Sequence, residues 1–283
     1  MEAIDEFDVV VGEHRHTAIA AGPETGEVVL LLHGWAEFAD SWLEVVYALA
    51  EAGYRAVAVD QRGYGPHCRP ERAEDYTIDL LVADTLAFAD AVGADRFHLV
   101  GRDWGGAVGW VLATRYPERL RSLNILAAPH PSAIKRAAAT DDAQFHDLGY
   151  VRYFRRGVDK AEDYLLRDDC AQLRVVYDGR LPPELLRRNL ARMSEPGVMT
   201  AALNWYRGAT NDTYDIPAGR ISVPTLFVFG TDDPWLSRAA AELTVHYIDA
   251  PYRFQLMPGA SQWLPCEVPD EIIPLVLDHI KQY

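Results

Sequence analysis

Short apolar runs that alternate with longer amphipathic stretches limit the fold of this chain more than any other feature. Such runs, without polar alternation, are typical of strands buried on both faces of a sheet. Between them, the stretches at 40–53, 78–93 and 104–117 carry apolar residues at helical spacing. The alternation predicts an α/β fold with a mostly parallel, twisted sheet flanked by helices. The six runs are VVLLLH (28–33), YRAVAVD (54–60), FHLVG (97–101), SLNILAA (122–128), TLFVFG (225–230) and YRFQLMPG (252–259).

One long region interrupts this alternation. From about Pro131 to Ile221 the chain is rich in arginine and helical in pattern, and the next apolar run begins only after Pro224. We therefore predict a helical cap at 131–217, inserted into a core formed by 1–130 and 218–283. Such an insertion is expected to cover the carboxyl ends of the strands, where open α/β sheets bind their ligands.

Charge and cysteine content exclude several classes of function. The formal net charge is −15, which argues against nucleic acid and anionic membranes as partners. Cys68, Cys170 and Cys266 lie far apart, so neither a zinc site nor a disulfide framework is predicted.

The acidic start MEAIDEFD and the lack of an apolar run of about 20 residues predict a cytoplasmic protein. The oligomeric state stays open, with a homodimer as one alternative.

The segment GRDWGG at 101–106 follows an apolar run and opens a helical stretch. A strand-turn-helix elbow of this kind holds its central residue, here Asp103, in a strained conformation at the top of the sheet, and only small neighbours tolerate the turn. The alternative is that Asp103 is an ordinary helix N-cap. Glycines at all three required positions favour the elbow.

Two other polar features follow strands at the same edge of the predicted sheet. The backbone N–H of Trp35, in the segment LLLHGWAEF, is placed to form an oxyanion hole with the N–H of Trp104. Asp232 and Asp233, in FVFGTDDPW, follow a later strand, which suits a carboxylate that orients a catalytic base. A turn or capping role is the alternative for either aspartate.

Together these residues resemble the α/β-hydrolase superfamily over almost the whole chain. More narrowly, DWGG at the elbow, DQRGYG at 60–65 and APHP at 128–131 are similar to epoxide hydrolases that use an aspartate nucleophile, and to their dehalogenase relatives. The resemblance implies that Asp103 forms an alkyl ester and that Asp233, in preference to Asp232, orients the base. It implies no metal and no organic cofactor.

The predicted cap carries a more specific part of the resemblance. An epoxide leaves as an alkoxide, which needs a proton or strong hydrogen bonds, whereas a halide does not. Epoxide hydrolases of this kind supply these hydrogen bonds from two tyrosines in the cap. The segments GYVRYF and LNWYRG are similar to the family segments that contain them, and the resemblance assigns the two roles to Tyr150 and Tyr206. Tyr153, one helical turn from Tyr150, is kept as the other tyrosine that would contact substrate, together with Trp35 and Trp104. Aromatic packing is the alternative for these tyrosines.

The chain departs from the family pattern at two loops. After the last strand the family reads Gly-x-x-His-Trp, and the segment GASQW places Gln262 at the histidine position. A glutamine amide forms hydrogen bonds but does not titrate near neutral pH, so it cannot accept the proton of an attacking water. Ala36 stands where the family has a proline, which leaves the oxyanion loop less fixed. His33 is expected to brace that loop by hydrogen bonds.

We interpret the chain as an epoxide hydrolase that forms a vicinal diol from a small-molecule epoxide through an ester on Asp103, stalled at ester hydrolysis because of Gln262. Three accounts explain Gln262: a deliberate replacement of histidine, a natural variant that uses another base, or a hydrolase fold retained for ligand binding. The first is favoured, because Asp103, Asp233 and both tyrosines are intact. The alternative functions are a haloalkane or haloacid dehalogenase and a non-catalytic binding protein.

Overall fold

The computed structural model describes residues 4–140, 148–156, 159–211 and 214–283. The strands of its single sheet are β1 (Asp5–Val11), β2 (His14–Ala21), β3 (Val28–Leu32), β4 (Arg55–Val59), β5 (Phe97–Arg102), β6 (Leu120–Leu126), β7 (Thr225–Gly230) and β8 (Tyr252–Met257). The helices are α1 (Leu43–Glu51), α2 (Ile78–Ala91), α3 (Trp104–Arg115), α4 (Pro131–Thr140), α5 (Gly149–Arg156), α6 (Lys160–Tyr177), α7 (Pro183–Met193), α8 (Val198–Ala209), α9 (Arg238–Leu243), α10 (Leu264–Glu267) and α11 (Pro269–Ile280).

The sheet confirms the predicted fold class. Its strand order is β1-β2-β4-β3-β5-β6-β7-β8, with parallel pairing from β4 through β8. The six apolar runs form β3 to β8, and hydrophobic clusters cover both faces of the sheet. Because these strands are parallel, the loops that follow β3, β5, β7 and β8 meet at one edge of the sheet.

The sequence analysis missed the first two strands. β1 and β2 form an antiparallel hairpin at the edge of the sheet, with Val11 paired to His14 across a two-residue turn in which Gly12 has φ 61°. β1 is an edge strand and is largely exposed. Its apolar residues are therefore interspersed with acidic ones, and the strand does not form a continuous apolar run like those of β3 to β8.

Of the described helices, α4 to α8 lie between β6 and β7, and the described part of 131–217 contains no strand. The helical character is as predicted, whereas the boundaries of the cap stay a prediction. Helix α8 is anchored to the core, since the Trp205 indole donates to the Arg62 carbonyl at 2.8 Å. The Arg62 guanidinium is itself buried in an ion pair with Asp84, at 2.6 Å between Nε and Oδ2. Among the described residues, no helix has the length and apolar character needed to cross a membrane.

Helix α3 packs unusually close to the sheet. A Cβ atom on Gly105 would lie 2.2 Å from the carbonyl oxygen of Leu32 in β3, a backbone atom that cannot move aside. A Cβ atom on Gly109, one turn later, would meet the side-chain methyls of Ile125, Leu99 and Leu123, at 3.1, 3.2 and 3.3 Å. The first turn of α3 is therefore fixed against the end of β3.

We expect Gly105→Ala to destabilise the protein by at least about 2 kcal/mol, because the backbone contact forces the helix away from β3. Gly109→Ala is the matched control: its better helix propensity, worth about 1 kcal/mol, offsets the tighter side-chain packing. Thermal unfolding measures both variants. Equal melting temperatures for the two would contradict the close approach at Gly105.

Candidate active site

Asp103 lies at a strained turn between β5 and α3. Its backbone has φ 51° and ψ −118°, and its side chain makes no capping hydrogen bond to α3. The carboxylate instead accepts a hydrogen bond from the backbone N–H of Trp35, at 2.7 Å to Oδ1. A Cβ atom on Gly101 would lie 2.5 Å from the Gly105 carbonyl oxygen, so the turn closes only with glycine. The turn therefore has the geometry of the predicted elbow, and the N-cap alternative is wrong.

The loop after β3 lies directly against this elbow. A Cβ atom on Gly34 would be 2.6 Å from the Asp103 Cβ. The buried His33 ring accepts a hydrogen bond from the Gln61 N–H at Nε2 (3.1 Å) and donates from Nδ1 to the Gly34 carbonyl (2.9 Å). Burial lowers the pKa of His33 to about 3, so the ring is neutral near pH 7. His33 braces the loop, as predicted.

Ala36 replaces the family's proline in a conformation that proline cannot adopt. Its φ is 60°, whereas a proline ring holds φ near −65°. The Ala36 carbonyl accepts a hydrogen bond from the Tyr177 hydroxyl at 2.5 Å, and its N–H donates to the Tyr64 hydroxyl at 3.3 Å. The loop is therefore held by two phenols in place of the proline ring.

Loops and cap helices enclose a mostly aromatic cavity above Asp103, with an empty volume of about 430 Å³. Five of the predicted site residues line it. The structure thus brings together the elbow, the oxyanion loop, the helices α5, α6 and α8, and the loops after β7 and β8. The lining residues are Trp35, Asp103, Tyr150, Phe154, Val176, Tyr206, Trp235, Leu236, Gln262 and Trp263.

Tyr150 on α5 and Tyr206 on α8 both line the cavity and pack edge to face, with ring centroids 5.8 Å apart. Burial, together with the negative charge of Asp103, raises the pKa of both phenols above the ordinary value. Both hydroxyls therefore stay protonated near neutral pH and can donate hydrogen bonds. The structure does not bring Tyr153 to the cavity, because its side chain is 40% exposed and its hydroxyl donates to the Lys160 carbonyl at 3.3 Å.

Trp104 lies behind the cavity wall and supports Tyr206, with ring centroids 5.0 Å apart. It is therefore not in the position of a substrate contact that the sequence predicted, whereas Trp35 is. The indole nitrogens of Trp35 and Trp104 are buried and have no hydrogen-bond partner among the described residues.

Asp233 and Asp232 point in opposite directions at the end of β7. Asp233 Oδ1 accepts hydrogen bonds from the backbone N–H groups of Trp235 and Leu236, while its Oδ2 is buried without a hydrogen-bond partner. Burial, and to a lesser degree the charge of Asp103, raises the pKa of Asp233 to about 7. Asp232 is exposed and accepts a hydrogen bond from the Thr231 hydroxyl. Of the pair, Asp233 has the position of the predicted orienting acid.

Gln262 lines the cavity but is held from the side by Arg102. The Arg102 guanidinium donates through Nη1 to the Gln262 side-chain oxygen at 3.3 Å and to its backbone carbonyl at 3.4 Å. Arg102 forms a fully buried ion pair with Glu37, at 2.5 Å between Nη2 and Oε2. The sequence analysis assigned no role to Arg102 or Glu37. The available signal was an arginine at the end of a strand predicted to be buried, which needs a buried anion.

A family model for the alpha/beta hydrolase fold matches residues 27–264, which include the elbow and both flanking loops. The chain belongs to the α/β-hydrolase family. Epoxide hydrolase A of Mycobacterium tuberculosis is 34% identical over 94% of this chain and 94% of its own length. Epoxide hydrolase 3 of Xenopus tropicalis is 31% identical over 95% of this chain and 75% of its own length. The inhibitor-bound epoxide hydrolase of Bacillus megaterium matches with a TM-score of 0.88 at 25% identity, covering 97% of this chain and all of its own. With such relatives, this protein is a hydrolase.

No histidine of the described residues lines the cavity of this hydrolase, and His146 lies outside them. His130, which lies within the APHP segment, donates from Nε2 to the Gly219 carbonyl at 2.9 Å and stacks on Tyr247. Burial lowers its pKa to about 4. In the described part of the chain, no group of three His, Cys, Asp or Glu residues could hold a metal ion. Among the described residues that line the cavity, none has an imidazole side chain.

We expect Asp233→Asn to raise the melting temperature of this hydrolase more at pH 8 than at pH 5. The Asp233 pKa is about 7 in the folded protein, against about 3.9 in an unfolded chain. Ionised Asp233 is therefore disfavoured by folding, and this cost grows as the pH rises from about 4 to about 7. The exposed Asp232→Asn is the matched control for the loss of a carboxylate at the end of β7. A pH-independent effect of Asp233→Asn would contradict the raised pKa.

Proposed function

We propose that this hydrolase opens epoxides through a covalent alkyl ester on Asp103. The observation that carries the proposal is that Asp103 and two protonated phenols, Tyr150 and Tyr206, face one aromatic cavity. A nucleophile and a pair of hydrogen-bond donors are the two requirements for opening an epoxide at neutral pH. The names of the relatives from Mycobacterium tuberculosis and Xenopus tropicalis support the same reaction.

In the first step, an Asp103 oxygen attacks a ring carbon of the epoxide and a carbon–oxygen bond of the ring breaks. The electron pair of that bond passes to the ring oxygen, which takes a proton from one phenol and a hydrogen bond from the other, and the phenolate left behind regains its proton from solvent water. The Trp35 N–H lies against the carboxylate at 2.7 Å and fixes which oxygen is free to attack. The product of this step is a hydroxyalkyl ester on Asp103.

In the second step, water attacks the carbonyl carbon of the ester, and the Trp35 N–H stabilises the oxyanion that forms. The water must lose a proton to a base. Gln262, at the position of the family's histidine, has no basic group near neutral pH. The ester on Asp103 therefore accumulates, and diol is released slowly. An Asp233 carboxyl without a partner at Oδ2 is consistent with a site that has kept its acid and lost its imidazole.

The aromatic lining indicates the class of epoxide. Phe154 stacks on Trp35 with ring centroids 5.4 Å apart, and Trp235 packs against Tyr150 at 5.1 Å. Burial of apolar area stabilises a bound ligand, and these walls offer few polar partners besides the phenols and the carboxylate. We propose a small epoxide with an aryl or alkyl substituent as substrate.

We expect a suitable epoxide, such as styrene oxide, to add one substrate mass to each chain, because ring opening needs Asp103 and the phenols but not residue 262. Intact-mass spectrometry and peptide mapping should place the adduct on the peptide that contains Asp103. Asp103→Asn is the control and should give no adduct.

The same assay separates the alternative functions. Binding of the epoxide without an adduct would indicate a non-catalytic binding protein. Release of halide from alkyl halides, with no reaction of epoxides, would indicate a dehalogenase. This second candidate is supported by the buried indole N–H of Trp35, which lines the cavity and has no hydrogen-bond partner among the described residues, since such a group can bind a halide leaving group.

We expect Tyr150→Phe and Tyr206→Phe each to slow alkylation about a hundredfold. Losing one donor to a developing oxyanion typically costs about 3 kcal/mol. Tyr153→Phe is the matched control on α5, and it should change the rate less than about threefold because its hydroxyl lies outside the cavity. Rates come from the decay of the unmodified mass in single-turnover reactions. A larger effect of Tyr153→Phe than of Tyr150→Phe would reverse the assignment.

A further inference from the structure

A buried ion pair adjoins the residue that stands where the family has its base. Arg102 and Glu37 are 1% and 2% exposed at their side chains, and the guanidinium carbon lies 4.4 Å above the Trp263 ring. Glu37 meets the guanidinium at Nη2, whereas Gln262 meets it at Nη1. Burial lowers the pKa of Arg102, but the charges of Glu37 and Asp103 raise it further, so the net pKa is above its ordinary value. The Arg102 guanidinium beside Gln262 is therefore always charged.

A guanidinium has donors and no acceptor, so it requires an acceptor from residue 262. Glutamine can meet this requirement with its side-chain oxygen and still keep its amide nitrogen for other partners. A neutral histidine has one acceptor nitrogen, and that same lone pair must take the proton of the attacking water. A hydrogen bond from Arg102 would therefore occupy the lone pair that makes histidine a base.

The positive charge of Arg102 would also weaken a histidine base at position 262. When a histidine base takes a proton it becomes a cation, and a like charge within hydrogen-bonding distance disfavours that form. Water does not screen the repulsion here, because both Arg102 and Gln262 are buried. Glu37 offsets part of the charge of Arg102 but contacts a different nitrogen of the guanidinium.

Asp233 shows the other half of this arrangement. In a base-orienting pair the acid accepts the imidazole N–H, and Asp233 Oδ2 is buried without a hydrogen-bond partner among the described residues. The side-chain oxygen of Gln262 is turned to Arg102. Gln262 therefore pairs with the guanidinium and leaves Asp233 Oδ2 without a donor.

We propose that Glu37 and Arg102 form a positioning pair that holds the Gln262 carboxamide by its oxygen and prevents a histidine at position 262 from acting as a base. The inference rests on the proposed epoxide reaction, because it concerns the hydrolysis of the ester on Asp103. It implies that a change at position 262 alone does not restore turnover.

The test measures ester hydrolysis after alkylation by styrene oxide in five proteins: the parent, Gln262→His, Arg102→Lys/Gln262→His, Glu37→Gln/Arg102→Met, and the triple variant Glu37→Gln/Arg102→Met/Gln262→His. Both charges are removed together, because removing one alone would leave the other buried and unpaired. Excess epoxide is removed by rapid desalting, and intact mass follows the loss of the ester. Because only the ester already formed is followed, the hydrolysis rate constant is independent of the alkylation rate.

We expect Gln262→His alone to hydrolyse the ester within about threefold of the parent. The triple variant should be faster by at least about a hundredfold, which is the usual contribution of a general base. The Glu37→Gln/Arg102→Met variant, which keeps Gln262, should hydrolyse the ester as slowly as the parent because it has no base at position 262. Arg102→Lys/Gln262→His keeps the cation and should also stay slow. A structural defect would slow alkylation and ester hydrolysis alike, whereas this pattern changes one step.

Three results would overturn the proposal. Fast ester hydrolysis by Gln262→His alone would show that Arg102 does not block the imidazole. A triple variant that forms the ester but hydrolyses it no faster than the parent would show that the pair is not the obstacle. Absence of an ester in all the proteins, the parent included, would refute the proposed epoxide reaction and with it this inference. The first two results leave the epoxide reaction intact, so the failures are distinguishable.

Discussion

The rest of the site depends on the contact between the first turn of α3 and the end of β3. Gly105 packs against the Leu32 carbonyl so closely that no side chain fits, and Gly34 is equally close to Asp103. This contact holds Asp103 at φ 51°, a conformation that costs a non-glycine residue on the order of 1–3 kcal/mol. The packing of the helix on the sheet supplies that energy. The strained residue in turn points its carboxylate at the Trp35 N–H and into the cavity.

Much of this arrangement could be predicted from the sequence, because the features involved are local. Parallel strands buried on both faces appear as continuous apolar runs, and an elbow appears as glycines at fixed spacing around Asp103. The hairpin of β1 and β2 could not be found this way, since an edge strand needs only one apolar face. Whether Tyr150 or Tyr153 faces the cavity depends on how α5 is rotated against α8. This rotation is set by a tertiary contact, which local sequence spacing does not determine.

The pairing of Glu37 with Arg102 could not be predicted from the sequence, although an arginine at the end of a buried strand indicated that some buried anion was needed. The two residues are distant in sequence, and each has an ordinary local explanation as a loop or strand-end residue. Their significance comes from burial, which makes an unpaired charge prohibitively costly and so forces them together. Gln262 is the reverse case. Its departure from the family pattern was visible in the sequence, but the group that holds it was not.

Arg102 joins the oxyanion loop to the loop after β8. Ala36 adopts a positive φ that a proline ring forbids, and the residue after this turn, Glu37, is buried against Arg102. Arg102 then reaches Gln262 on its other side. The position of the Gln262 side chain therefore depends on a charge pair that is anchored on the opposite side of the elbow, and not on the loop after β8 alone.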